Sequence, residues 1–331
     1  MLASALQTCI SSGGPADIVF GNLETPLSDL DLDRTRRSRQ LRGRPEYAAS
    51  LRAGGFSVLS VASNHALEHG VDAFVASARQ LESVGINPCG QRGLDGWTAR
   101  PVTQLVKNLR VGFLAYSMRP ASPPPPPASY ALAAEEEILT DVARLRAETD
   151  CLVVSLHWGE EFVPQPSEGE VAFARALVDA GVSLILGHHP HVARPVERYR
   201  NAVIAYSLGN FAADMIWYDP LRNGLMLECE ITRQGVGRAC VHRVRIDRFY
   251  LPAALASEVV AERQEPLRGL PREDYIREAR RTVRAQRRAL YRYTALNAWR
   301  FEPGALLDLA AKTLGGKLAR LTRGKRDEIW E

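Results

Sequence analysis

SLILGHHPH, residues 183–191, is a short apolar run that passes straight into three histidines within four positions. The whole chain of 331 residues holds only seven histidines, so imidazole is concentrated where this run ends. A Leu/Ile run of this length suits a strand buried on both faces. Five other segments share its form, each apolar and each ending in polar residues: DIVFGNLE (17–24), FSVLSVASNH (56–65), VGFLAYS (111–117), CLVVSLHWG (151–159) and AVIAYSLGN (202–210). Helix-like stretches lie between them at 71–84, 132–147 and 168–180. Strand and helix alternate, which predicts an α/β architecture with crossover connections.

Further along, the texture changes. Residues 222–231 and 239–248 read as strands joined through RQGVGR, a hairpin, and from about 255 the pattern turns helical and arginine-rich. The expected division is a main domain over 1–250 and a basic helical extension over 251–331.

Composition is that of a globular protein, 46% apolar and 24% charged. The net charge of +4 is unevenly spread, because residues 271–331 hold 15 Lys and Arg against 8 Asp and Glu. That tail invites an anionic contact, with a membrane surface as one expected partner. Its aromatics sit at helical spacings typical of packing, so nucleic acid is not an expected partner. Five scattered cysteines without a CxxC pair indicate neither a disulfide framework nor a zinc knuckle. Residues 1–20 lack the basic and apolar regions of a signal peptide, and no apolar run reaches the length of a membrane span; the default expectation is an intracellular chain. Ser122–Ala128 contains five consecutive prolines and reads as a stiff surface spacer. RTRRSRQLRGR, 34–44, carries six arginines and reads either as a solvated loop or as an anion contact; Arg42 and Arg44 are retained as substrate-binding candidates, together with Asn22 and Asn210.

Six of the seven histidines fall in three segments, and the clusters NLE, SNH, HWG and GHHPH all terminate predicted strands. Carboxyl ends of strands are where α/β sheets bind ligands. Alternation along a strand would project His189 and His191 to one side and His188 elsewhere. Glu24, Asn64, His65, His157, His189 and His191 then offer carboxylate, amide and imidazole without thiolate, a donor set for Mn, Fe, Zn or Co. Two divalent ions would need a bridging carboxylate, and Glu24 is the candidate. Each residue alone has a plainer explanation, a turn, a cap or a hydrogen-bonded core histidine; four clusters at strand ends favour the metal. His69 and His242 stand outside the pattern and read as structural. No phosphate-cradling glycine loop and no GxSxG nucleophile motif occurs.

In order along the chain, FGNLETPLS, GGFSVLSVASNHALEHG, VVSLHWGEEFVPQPS, LILGHHPHVARPVE and IAYSLGNF resemble the CapA-like family of poly-γ-glutamate capsule biosynthesis proteins, a branch of the calcineurin-like metallophosphoesterases, over residues 15–215. The resemblance implies a four-layer α/β/β/α sandwich with a two-metal centre. It implies that Asn64, His157, His189 and His191 are metal ligands, that Glu24 stands where the superfamily has a bridging Asp, that His65 aids the leaving group, and that Asn210 lies near the site. The family also opens with a strand ending in Gly-Asp, whose Asp is a ligand. No Gly-Asp occurs in residues 1–17, so that first strand is expected to be missing here; the start then lies upstream or the centre is incomplete. The expected function is capsule-polymer synthesis or export with a metal-dependent phosphoester hydrolase site, acting on an anionic polymer or phosphoester beside capsule-synthesis membrane proteins. The rival is a non-catalytic polymer-binding or assembly component with a vestigial site.

Overall fold

Strand β6, Cys151–His157, is buried at every residue, as the unbroken CLVVSLH run requires of a strand covered on both faces. It lies inside a six-stranded sheet with β4 (Val102–Val106), β5 (Leu109–Ser117), β7 (Leu184–His188), β8 (Val196–Tyr199) and β9 (Ala202–Ala205), in the order β4-β5-β6-β7-β9-β8. The central strands β5, β6, β7 and β9 are parallel, and β4 and β8 close the edges antiparallel. This is a computed structural model, and it describes residues 16–30, 41–119, 125–248, 250–261 and 265–298. The segment on which the missing-strand expectation falls, residues 1–17, lies outside that set except for its last two residues, and Arg34 to Arg39, the first two of the five prolines and residues 299–331 lie outside it too.

Two smaller sheets complete the β structure: parallel β1 (Phe20–Asn22), β2 (Val58–Ser60) and β3 (Asn87–Cys89), and antiparallel β10 (Asn223–Thr232), β11 (Gly235–Ile246) and β12 (Pro252–Val259). Both face the same side of the six-stranded sheet. Phe113, Val153, Leu186 and Val203 from the large sheet pack with Val58 and Cys89 from one small sheet and Leu225, Ala239 and Val241 from the other. Phe20 stacks on Phe113 across that interface, with ring centroids 6.0 Å apart. The opposite face of the large sheet, including Leu114, Leu152, Leu156 and Ile185, is covered by α3 (Glu135–Arg146) and α4 (Glu168–Asp179). Helices α1 (Tyr47–Ala53) and α2 (Gly70–Ser83) cover the outer side of the small parallel sheet through Ala48, Phe74 and Leu81. The layers are therefore α/β/β/α, the architecture that the family resemblance implies. Each buried Leu, Ile, Val or Phe contributes roughly 1.5–3 kcal/mol by leaving water, so the two alternating faces of the large sheet hold the layers together.

Local chemistry explains the ends of these elements. Ser167 begins α4 with a capping box: its hydroxyl accepts the Glu170 N–H at 3.2 Å while Glu170 Oε2 accepts the Ser167 N–H at 2.8 Å. Lys107 and Asn108 both have positive φ, 46° and 65°, which suits the two-residue turn between β4 and β5. The expected helix from residue 255 is corrected: 252–259 is a strand, β12, paired antiparallel with β11. Its burial alternation is too weak to read, since every residue after Pro252 is exposed. The helical pattern starts only at Arg272, in α5 (Arg272–Leu296). The chain divides into two compact units, residues 1–284 and 285–331.

Candidate metal centre

The carboxyl ends of β1, β2, β6 and β7 deliver the cluster. Parallel register places Ser117 beside His157 and His157 beside His188, so these strands finish together. Glu24 lies two residues beyond β1 and His65 five residues beyond β2; His157 ends β6, and His189 and His191 follow β7.

His189 and His191 do not extend the strand. Both take positive φ, 92° and 58°, so the strand-alternation argument does not apply and the left-handed backbone turns the two rings toward the cluster. Their ring centroids are 6.1 Å apart. His188, still in β7, turns the other way; its ring lies 6.5 Å from that of Phe20, between the sheets. Gly187 is obligatory just before it, because a Cβ there would lie 2.3 Å from the Tyr206 carbonyl oxygen.

Glu24 Oε1 is the geometric centre. It lies 3.7 Å from Nε2 of His65, of His157 and of His191, and it is buried without a hydrogen bond among the described residues. His157 Nε2 is 2.7 Å from Asn64 Oδ1 and 3.2 Å from His189 Nδ1. Glu24, His157 and His189 each present a ligand atom within 4.8 Å of the others. Two ligands each about 2.1 Å from one cation stand about 3.0–3.4 Å apart. A buried carboxylate oxygen with no donor is costly, and a cation satisfies it together with the crowded nitrogens. The residues present thus fit a divalent metal.

Burial sets the electrostatics. It holds His157 well below the usual imidazole range, with His189 and the other histidines adding to the effect. It lowers His188 to about 3 and, together with the charge of Arg119, His189 to about 2. All three are neutral at ordinary pH, the state a ligating imidazole requires. His65 differs. Burial pulls it down, but the hydrogen bond to Glu68 and the charges of Glu24, Glu68 and Glu161 outweigh burial and raise it.

The supporting residues fix tautomers. Asn210 gives its Nδ2–H to the Leu221 carbonyl at 2.9 Å, which turns its Oδ1 to accept the Nδ1–H of His191 at 3.0 Å. His191 Nε2 is thereby left with a lone pair facing Glu24. Phe162 stacks on the same ring, 6.3 Å between centroids. His65 gives Nδ1–H to Glu68 Oε1 at 2.7 Å, and Glu68 Oε2 accepts the Leu41 N–H at 2.6 Å.

Glu24, Asn64, His65, His157, His189 and His191 therefore converge, with Asn210 directly behind His191. Asn22 closes β1, and its Oδ1 is buried without a hydrogen-bond partner among the described residues. Arg42 and Arg44 are exposed on the stretch that Leu41 ties to Glu68. His242 is bonded to Ser257 and Glu228 in the β10–β12 sheet, and His69 is buried at the start of α2. Sequence reading missed Glu68, whose one signal is its place three residues after His65 in SNHALEHG.

The profile of the bacterial capsule synthesis protein family PGA_cap matches residues 3–215. The chain is 28% identical over 228 residues to the PGA biosynthesis protein CapA of Bacillus subtilis (strain 168), a match covering 67% of this chain and 60% of that protein. It is 29% identical over 219 residues to the capsule biosynthesis protein CapA of Bacillus anthracis, covering 61% of this chain and 52% of that one. The chain thus spans between half and two thirds of the length of the curated relatives it matches.

Proposed function

The chain belongs to the bacterial capsule synthesis family PGA_cap, and from that membership we propose that it acts in synthesis or export of a poly-γ-glutamate-type polymer through a metal-dependent phosphoester hydrolase centre. The observation that carries the reading is the convergence on Glu24 Oε1 of three imidazole nitrogens from three separate segments, the loop after β2, the end of β6 and the loop after β7, each at 3.7 Å. Such an array has no structural purpose that a hydrogen-bonded core would not serve better.

In this reading Glu24, Asn64, His157, His189 and His191 hold one or two divalent ions, drawn from Mn, Fe, Zn or Co. The bound metal supplies Lewis acidity and an activated water for attack at phosphorus. The chain's own residues do the rest. Glu24 spans the cluster and sets the spacing of the histidines. Asn210 keeps His191 in its ligating tautomer. Glu68 holds the proton of His65 on Nδ1 and favours the imidazolium, so His65 Nε2 faces the cluster with a proton for the departing oxygen. Arg42 and Arg44 offer charge to an anionic polymer. The arginine-rich tail would meet a membrane surface or capsule-synthesis membrane proteins; most of it lies outside the described residues. Among those described, no helix is long and apolar enough to cross a membrane.

Hydrolysis of an aryl phosphate by Mn²⁺-loaded protein tests the reading. Activity that disappears with chelator and in Asn64→Ala and His157→Ala supports it. Full metal content with no turnover of any phosphoester favours instead a polymer-binding component that keeps the centre without the chemistry.

A further inference from the structure

Arg119 follows β5 by two residues, and Met118 beside it donates its N–H to the His157 carbonyl at 3.0 Å. Its guanidinium thus leaves the sheet next to the ligand-bearing strand ends. Of the charges that lower His189 it is the foremost, ahead of the buried Arg194. The side chain is about a quarter exposed, and among the described residues it makes one hydrogen bond, Nη1 to Glu160 Oε1 at 2.7 Å.

A partly exposed ion pair of this kind adds little to stability, yet the loop that carries Glu160 is held by several buried hydrogen bonds. Arg194, whose side chain is wholly buried, donates Nε–H to the Val163 carbonyl at 2.8 Å, Nη1–H to Glu170 at 2.6 Å and Nη2–H to the Glu160 carbonyl at 3.2 Å. The Tyr275 hydroxyl, from α5, accepts the Glu160 N–H at 2.8 Å and a further Arg194 N–H at 3.1 Å. Both flanking peptide groups of Glu160 are held from below. Gly159 and Phe162 take positive φ, 76° and 66°, and a Cβ at Gly159 would stand 2.4 Å from Glu170 Oε1. Left-handed backbone and buried hydrogen bonds gather under one carboxylate, about a quarter exposed, that contacts one arginine. That pattern marks a site in which placement is used.

From this geometry we infer that Arg119, oriented by Glu160, is an anion-recognition arm at the rim of the metal-ligating cluster, taking an oxyanion of the substrate through its remaining N–H donors. The ligand chemistry is a planar or tetrahedral oxyanion, either a phosphoryl group or a glutamyl carboxylate, both of which match the guanidinium fork. Glu160 then serves as the partner that holds the fork in place before the ligand arrives. The inference rests on the metal-centre reading above for where the substrate lies.

Calorimetric titration of the full chain with inorganic phosphate and, separately, with tri-γ-glutamate decides it, with Mn²⁺ content measured in parallel. Arg119→Ala weakens at least one titration about ten-fold or more, the loss of a charge-assisted hydrogen bond. Glu160→Gln, which keeps an acceptor but removes the competing charge, tightens it several-fold. Neither changes Mn²⁺ uptake. A loss confined to phosphate assigns the phosphoryl group, and one confined to tri-γ-glutamate assigns the carboxylate. Wild-type protein that binds neither probe, unchanged affinity in Arg119→Ala, or equal weakening by both substitutions, the signature of a merely structural pair, overturns the inference. Protein that takes no Mn²⁺ sinks the metal reading alone, and the same titrations on that metal-free protein still judge Arg119.

Discussion

The carboxylate of Glu68 accepts the Nδ1–H of His65 at 2.7 Å and, on its other oxygen, the backbone N–H of Leu41 at 2.6 Å. The pair is an imidazole whose proton position and charge are set by a neighbour one helical turn away in sequence. Glu68→Gln keeps the shape and removes the charge that raises His65. Because His65 is the proposed proton donor, turnover falls where the leaving group is poor: about 10²-fold for an alkyl phosphate, and little for an aryl phosphate. The alkaline limb of the pH profile also moves to lower pH, since a His65 no longer raised loses its proton sooner. Steady-state kinetics on the two substrates checks both expectations.

Asn210→Ala releases the ring of His191 from the one hydrogen bond that orients it among the described residues. Loss of a partner behind a metal ligand reduces metal affinity by about 10–100-fold. Mn²⁺ affinity of the variant should fall within that range while its circular dichroism remains that of the wild type. Unchanged affinity would show that His191 is oriented by other contacts, Phe162 foremost.

Much of this was legible in the sequence, and particular residues show where legibility ends. CLVVSLH and LILGH announce buried strands because both faces must be apolar, and the strands appear where the runs do. The histidines at their ends mark the cluster for the same reason. The conformation of His189 and His191 was not legible, because an extended strand and a left-handed turn place i and i+2 side chains together by different routes. Strand β12 escaped because an edge strand with one buried residue carries no period of two. Glu68, Arg194 and Tyr275 escaped because their partners are set by tertiary structure. Arg194 and Tyr275 stand 81 positions apart and share one hydrogen bond.

Metal-free protein should be acid-sensitive. An unfolded histidine gains its proton near 6.5. In the folded protein His157 is held well below that value, His188 at about 3 and His189 at about 2, all chiefly by burial. Below 6.5 the unfolded state binds protons that the folded state refuses, so stability present above that pH is lost as pH falls toward those lower values. Each such site removes up to roughly 1.4 kcal/mol per pH unit below 6.5, and little above it, so the three together remove a few kcal/mol, at most about 4, between pH 7.5 and 5.5. Urea midpoints measured across that interval test this, and His188→Leu should flatten the slope by about a third.

Gly187→Ala drives a methyl group into the Tyr206 and Ala205 backbone, where the contacts would be 2.3 and 2.8 Å. Backbone cannot step aside as a side chain can, so the cost should be about 1–3 kcal/mol or more. The strand end that carries His188 and His189 shifts with it. Chemical denaturation should show the loss of stability, and Mn²⁺ affinity should fall alongside it. Wild-type values for both would mean that β7 and β9 separate freely at this point.

Anomalous diffraction from crystals of the full chain grown with Mn²⁺ addresses the centre itself. The account predicts a peak within bonding distance of Glu24 Oε1 and His157 Nε2, with His189 or His191 completing its ligands. Well-ordered Glu24, Asn64, His157, His189 and His191 side chains with no anomalous density among them, at millimolar Mn²⁺, would contradict it.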